Sequence, residues 1–202
     1  MIGEVMFATT DDGKRIQVNQ DGTWVFCENS IKDSRVSFRK SIWGMSPSEV
    51  KETELGATWK DHDNVCYFNS RLTDLDCMAI YVFANDQLCR GKYLITQEFV
   101  NENNYISSHD SLKEIFIKKY GAPTSDNEYW LNDLYRDDYQ DWGRAVGMGH
   151  MSRYVVWKLP ETEICLGLSG ENYECSLFIE YSSTHYSKIE ALMKESSVLD
   201  MI

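Results

Sequence analysis

Residues 75–99 read LDCMAIYVFANDQLCRGKYLITQEF, and the fold turns on how this stretch doubles back. Two apolar runs flank Asn85-Asp86, a pair that tolerates the left-handed backbone of a two-residue hairpin turn. The spacing predicts antiparallel strands with Phe83 opposite Leu88 and Val82 opposite Cys89. Because strand side chains alternate between faces, one face would carry Cys77, Ala79, Tyr81, Phe83, Leu88, Arg90, Lys92 and Leu94. The other would carry Met78, Ile80, Val82, Cys89, Gly91, Tyr93 and Ile95; lacking charge, it is expected to meet the helices. Cys77 and Cys89 then lie on opposite faces and do not bridge, since a disulfide needs β-carbons within about 4.5 Å.

Working outward, "NVCYFNSRLT" (64–73) reads as a further strand. Before it, "WGMSPSEV" (43–50) combines three helix-start devices: Ser46 and Glu49 as a capping box, Pro47 at the first helical position, and Met45 with Val50 as a hydrophobic staple. That helix should run from about Pro47 to Leu55 and stop at Gly56. Trp43 and Gly44 are not explained by capping and are expected to pack in the core. Residues 13–28, "GKRIQVNQDGTWVFCE", read as a β-hairpin with Gly22 in its turn, and "NSIKDSR" as a polar connector.

C-terminal to the hairpin, a helix over about Tyr105–Tyr120 presents Ile106, Leu112, Ile115, Phe116 and Tyr120. Lys118, Lys119, Gly121 and Pro123 mark its end. Residues 126–150 permit a helix through Trp130, Leu131, Leu134, Tyr135, Trp142 and Val146, or else an ordered acidic excursion. Strands resume at "SRYVVWKLP", "TEICLGLS" and "CSLFIEYSS", and "HYSKIEALMKES" reads as a closing helix. The expected class is α+β, with two helix-plus-antiparallel-sheet halves (38–100 and 101–183), an N-terminal hairpin and connector (1–37) and a C-terminal helix and tail (184–202).

Composition narrows function. With 202 residues, 43% of them hydrophobic, the chain can bury a sizeable core. A net charge of −12 opposes binding to nucleic acid and to anionic lipid, where Lys and Arg supply affinity. No apolar run is long enough for a transmembrane helix, so membrane insertion is not expected. As written, the chain reads as cytoplasmic; it would be exported if a signal peptide had been removed. Its six cysteines form no C-x-x-C pair and read as buried thiols.

Catalytic and metal patterns are missing. His62, in Asp61-His62-Asp63, has no spaced ligand set, and Asp133, Asp137, Asp138 and Asp141 do not follow a calcium-loop order. No phosphate loop, dinucleotide fingerprint or nucleophile elbow is present. The sequence therefore implies neither a cofactor nor a metal, and it leans away from an enzyme.

"DGKRIQVNQDGTW", "FRKSIWGMSPSEVKETE", "KKYGAP" and a later "IEYSS" resemble, in that order, uncharacterised bacterial proteins often found with export signals. The helix-then-sheet halves look like the β-lactamase inhibitor protein and the small outer-membrane assembly lipoproteins, a likeness of architecture only. The resemblance implies a non-enzymatic module that engages a protein partner. If the sheet is the contact surface, Tyr81, Phe83, Arg90 and Lys92 are the candidate binding residues, because aromatic and Arg side chains dominate interface hot spots. The alternative is a small hydrolase or ligand-binding protein with a pocket around Trp142, His150 and Trp157.

Overall fold

The computed structural model describes residues 37–187 in full and, before them, the backbone of three strands. The chain divides into two units, Met1–Val36 and Ser37–Ile202. In the first, β1 (Met6–Thr9), β2 (Arg15–Val18) and β3 (Trp24–Phe26) form an antiparallel sheet in that order. The hairpin expected over 13–28 is the β2–β3 pair, with Ile16 opposite Phe26 and Val18 opposite Trp24. Its turn lies outside the described residues, and β1 is an addition that "MFAT" did not announce.

The second unit runs α1 (Pro47–Thr53), β4 (Lys60–His62), β5 (Val65–Leu72), β6 (Leu75–Ala84), β7 (Gln87–Ile95), α2 (Asn103–Tyr120) and β8 (Ser125–Trp130). A single 3-10 turn (Tyr139–Asp141), α3 (Trp142–Gly147), β9 (Met151–Lys158), β10 (Thr162–Glu171) and β11 (Glu174–Ser183) complete it. The strands build one antiparallel sheet of eight in the order β4-β5-β6-β7-β11-β10-β9-β8. Each run of four is a meander, and β11 joins them by pairing with β7, Phe178 opposite Leu94 and Glu180 opposite Lys92. This corrects the expected class: the fold is α+β, with helices interspersed among the strands of one continuous sheet. Among the described residues the last element is the sheet strand β11, where a C-terminal helix was expected. Residues 188–202 of the expected helix lie outside the described residues.

Among the described residues, α1, α2 and α3 lie on one face of the sheet. Phe116 of α2 packs on Trp157 and Tyr181, ring centroids 5.5 and 6.3 Å apart. Trp142, opening α3, meets Arg153 of β9, and Glu54, capping α1, accepts from the Tyr81 hydroxyl. On α2 the inward positions are Ile106, His109, Leu112 and Phe116, spaced at helical period. Ile115, expected on that face, is 43% exposed.

The helix starts follow the sequence closely. At Ser46 the full capping box forms, its N–H donating to Glu49 Oε2 at 2.8 Å, with Val50 fully buried. Ahead of it, Gly44 N donates to Leu88 O (2.9 Å) and Leu88 N to Met45 O (2.8 Å), fastening the helix start to β7. Trp43 is buried, and its indole donates to Thr162 Oγ1 at 2.9 Å. Gly44 has φ +87° and lies where any Cβ would meet the Tyr186 ring. Trp43 thus packs in the core as expected, whereas Gly44 is half-buried at a left-handed turn.

The 84–87 turn forms as read, Asn85 and Asp86 both having positive φ. The faces do not. Val82 pairs with Arg90 while Phe83 pairs with Leu88, a bulge that makes Cys89 the extra residue. Beyond it β7 is offset by one residue, so the helix-facing set is Cys77, Ala79, Tyr81, Phe83, Leu88, Gly91, Tyr93 and Ile95, all buried. Met78, Ile80, Val82, Arg90, Lys92 and Leu94 share the opposite, half-buried face.

A polar knot is set into the buried face. Arg39, at φ +55°, donates from Nε to Glu54 Oε1 (2.7 Å) and from Nη2 to Oε2 (3.2 Å). Its Nη1 reaches Ser70 Oγ (3.2 Å) and Tyr93 OH (3.4 Å). Phe38 beside it touches three tyrosines, Tyr81, Tyr93 and Tyr181, at 5.0 to 5.2 Å between centroids.

Candidate functional site

The four sheet residues proposed from sequence do not share a surface. Tyr81 and Phe83 are 0 and 2% exposed beneath the helices, and burial pushes the Tyr81 phenol far above its ordinary pKa. Arg90 and Lys92 stand on the open face, Arg90 within 3.4 Å of Glu180 and Lys92 4.1 Å above the Phe178 ring. The bulge at Cys89 separates the pairs.

Nor do Trp142, His150 and Trp157 converge. Trp157 is buried against Phe116, its indole donating to Gly121 O at 3.0 Å. Seven residues of extended chain, roughly 20 Å, separate it from His150, whose ring stacks on Tyr135. Burial pushes the thiols of Cys66, Cys77, Cys165 and Cys175 up to about 11, which keeps them protonated and unreactive at neutral pH. Among the described residues no cluster of three or more His, Cys, Asp or Glu side chains is arranged to hold a metal. His62 is an exposed side chain on the edge strand β4. A groove of about 310 Å³ between α2 and the β5–β6 turn gathers Ser107, Ser108 and Ser111 with Asp74, but no base beside them.

The segment from β8 to α3 is of another kind. Residues 131–138 form no helix: Leu131 N donates to His150 O (2.7 Å) and Leu134 N to Asn132 Oδ1 (3.0 Å). Arg136 N bonds Asp133 O, its guanidinium bonds the Asp133 carboxylate at 3.1 Å, and Gln140 N donates to Asp138 Oδ1. Short Asn and Asp side chains thus satisfy local N–H groups that a helix would have used. Asn103, at the start of α2, ties the segment down from outside. Its Nδ2 donates to Tyr139 O (2.8 Å), and its Oδ1 accepts from Gly143 N (2.6 Å).

Beneath the segment lies an aromatic floor. Trp142 stands 5.7 Å from Trp130 and 4.9 Å from Tyr139, and its indole donates to Arg136 O at 3.1 Å. The Arg153 guanidinium sits 5.2 Å over the Trp142 ring and is gripped by Glu128 (2.8 Å) and Asp110 (2.9 Å). Burial by itself would raise the Asp110 pKa, but the His109 hydrogen bond and the Arg153 charge outweigh it and lower the value. Gly143 admits no Cβ, which would fall 2.2 Å from the Glu102 carbonyl carbon, so α3 packs directly on the start of α2.

Along this segment the large apolar side chains are exposed, with Tyr129 on the opposite face of the sheet from the floor, its ring 6.2 Å from Tyr154. Tyr129 is 52% exposed, Leu131 87%, Leu134 67% and Tyr139 54%. Around them, residues 126–141 carry six carboxylates and a single arginine. The spacing of Leu131 and Leu134 permits a helix over 126–150 but leaves an ordered acidic excursion equally open, and residues 131–138 take the second form. The Asn132-Asp133 and Asp137-Asp138 pairs were the available turn signal.

No family model, curated protein or solved structure matches this chain.

Proposed function

We propose that this protein is a non-enzymatic binding module that recognises another protein through the surface displayed by residues 131–139. One observation carries the reading: Leu131, Leu134 and Tyr139 are exposed on a backbone fastened by hydrogen bonds and an aromatic floor. Single exposed apolar residues are ordinary, whereas several gathered in one ordered stretch mark an interaction surface. Burying each leucine would contribute about 1.5–3 kcal/mol to association. Because the backbone is already ordered, little further entropy is lost on binding.

Photocrosslinking in the native host tests this. Benzoylphenylalanine in place of Leu134, or of Leu131, should give a discrete adduct. The same residue in place of Leu55, which is 90% exposed beyond α1, should not. Equal adducts from Leu55 and Leu134, or none from either leucine of the segment, would overturn the proposal.

A further inference from the structure

The recognition surface carries a second, independent property, its charge, and from it we infer that the partner segment is cationic: apolar anchors flanked by Lys or Arg. This rests on the protein-recognition reading above. Asp133 is matched by Arg136 at 3.1 Å and Asp141 by Arg144 at 3.6 Å. On the β8 side, Glu128 is taken by Arg153 and Asp126 by Lys113. Asp137 and Asp138 stand exposed between the exposed Leu134 and Tyr139. The one contact shown for either carboxylate is Asp138 Oδ1 accepting a backbone N–H from Gln140. Their negative charge therefore lies within four residues of the exposed Leu134 and Tyr139, and beside a partner like charge is costly while opposite charge steers association.

The same charge argues against the other occupants. A second copy of the chain would bring its own net −12 and an identical acidic segment, and an anionic lipid surface would be repelled as well. A cationic, apolar-anchored segment satisfies both the leucines and the aspartates.

The test uses the full chain and fluorescein-labelled synthetic peptides of equal length: alternating Leu/Lys, Leu/Glu, Leu/Ser and Ser/Lys. Anisotropy titrations should show binding of the Leu/Lys peptide that weakens as salt is raised. Affinity should fall by about a hundredfold or more in Leu131→Ser/Leu134→Ser and by about a few-fold in Asp137→Asn/Asp138→Asn, where the Asn at 138 keeps the backbone cap. Thermal melts confirm that both variants fold. Equal binding of Ser/Lys and Leu/Lys, or Leu/Lys binding that neither variant alters, would mean that net charge alone attracts the peptide and would overturn the inference. Leu/Ser or Leu/Glu binding as tightly as Leu/Lys, lost only in the leucine variant, would overturn the cationic partner while leaving protein recognition standing. Photocrosslinking that fails at both leucines removes the two together.

Discussion

The Phe38 ring lies across Gly91, occupying the place of a Cβ: one built on Gly91 would stand 2.2 Å from two ring carbons. Phe38 is 1% exposed and wedged among Tyr81, Tyr93 and Tyr181, so it has nowhere to go. Gly91→Ala should therefore destabilise the fold by about 1–3 kcal/mol, the usual cost of overpacking. Gly167 offers a control. There the obstacle is the far end of Phe178, a half-buried ring on the open face that can swing aside. Urea denaturation should show Gly167→Ala to be the milder change, and equal losses would contradict the wedge.

Arg39 and Glu54 form a largely buried ion pair, and removing Arg39 leaves the Glu54 carboxylate only Lys40 at 3.6 Å and the Tyr81 hydroxyl. Arg39→Met should cost about 3–5 kcal/mol, measured as a fall in denaturation midpoint. Burial alone would raise the Glu54 pKa, but the hydrogen bond and charge of Arg39, with Lys40, more than compensate, and the folded value lies below the ordinary one. A lowered folded pKa gives stability that is complete above the unfolded value, about 4.3, and is lost as pH falls through the folded value. Glu54→Gln should flatten that acid limb of the stability profile. An unchanged limb would show that another carboxylate sets it.

Ser46 closes the α1 capping box. Ser46→Ala should cost about 1 kcal/mol and leave partner binding per folded molecule intact. A binding loss with no change in melting temperature would give Ser46 a role beyond the helix start.

Asn103 holds the segment before α3 by two hydrogen bonds, each of them worth about 0.5–1.5 kcal/mol. Asn103→Ala should speed amide exchange across residues 131–143 by about tenfold or more, with β10 and β11 amides unaffected. Exchange that quickens uniformly would mean that the segment is not a separately held unit.

What could be read from the sequence was set by local backbone chemistry. The Asn85-Asp86 turn, the Ser46 cap and the Gly121 stop depend on a few neighbouring residues, and each formed as the residues implied. The faces of β6 and β7 depended on a single inserted residue, Cys89, which no local pattern marks, and one residue of offset exchanges every side chain. With it went the grouping of Tyr81 and Phe83 with Arg90 and Lys92. Strand β8, "SDNEYW", lacks an apolar alternation because it is an edge with exposed side chains. The outward Leu131 and Leu134 obey helical spacing without forming a helix. A pattern that normally records burial misleads where apolar residues are displayed.

The joining of the two meanders by β11 also governs the order of assembly. β7 ends at Ile95, yet its second neighbour in the sheet does not begin until Glu174. Until that strand leaves the ribosome, β7 and β10 each present an unpaired edge in what becomes the middle of the sheet. Long-range pairing of this kind is slow and exposes apolar strands to aggregation. The nascent chain is thus most vulnerable between the emergence of β7 and that of β11.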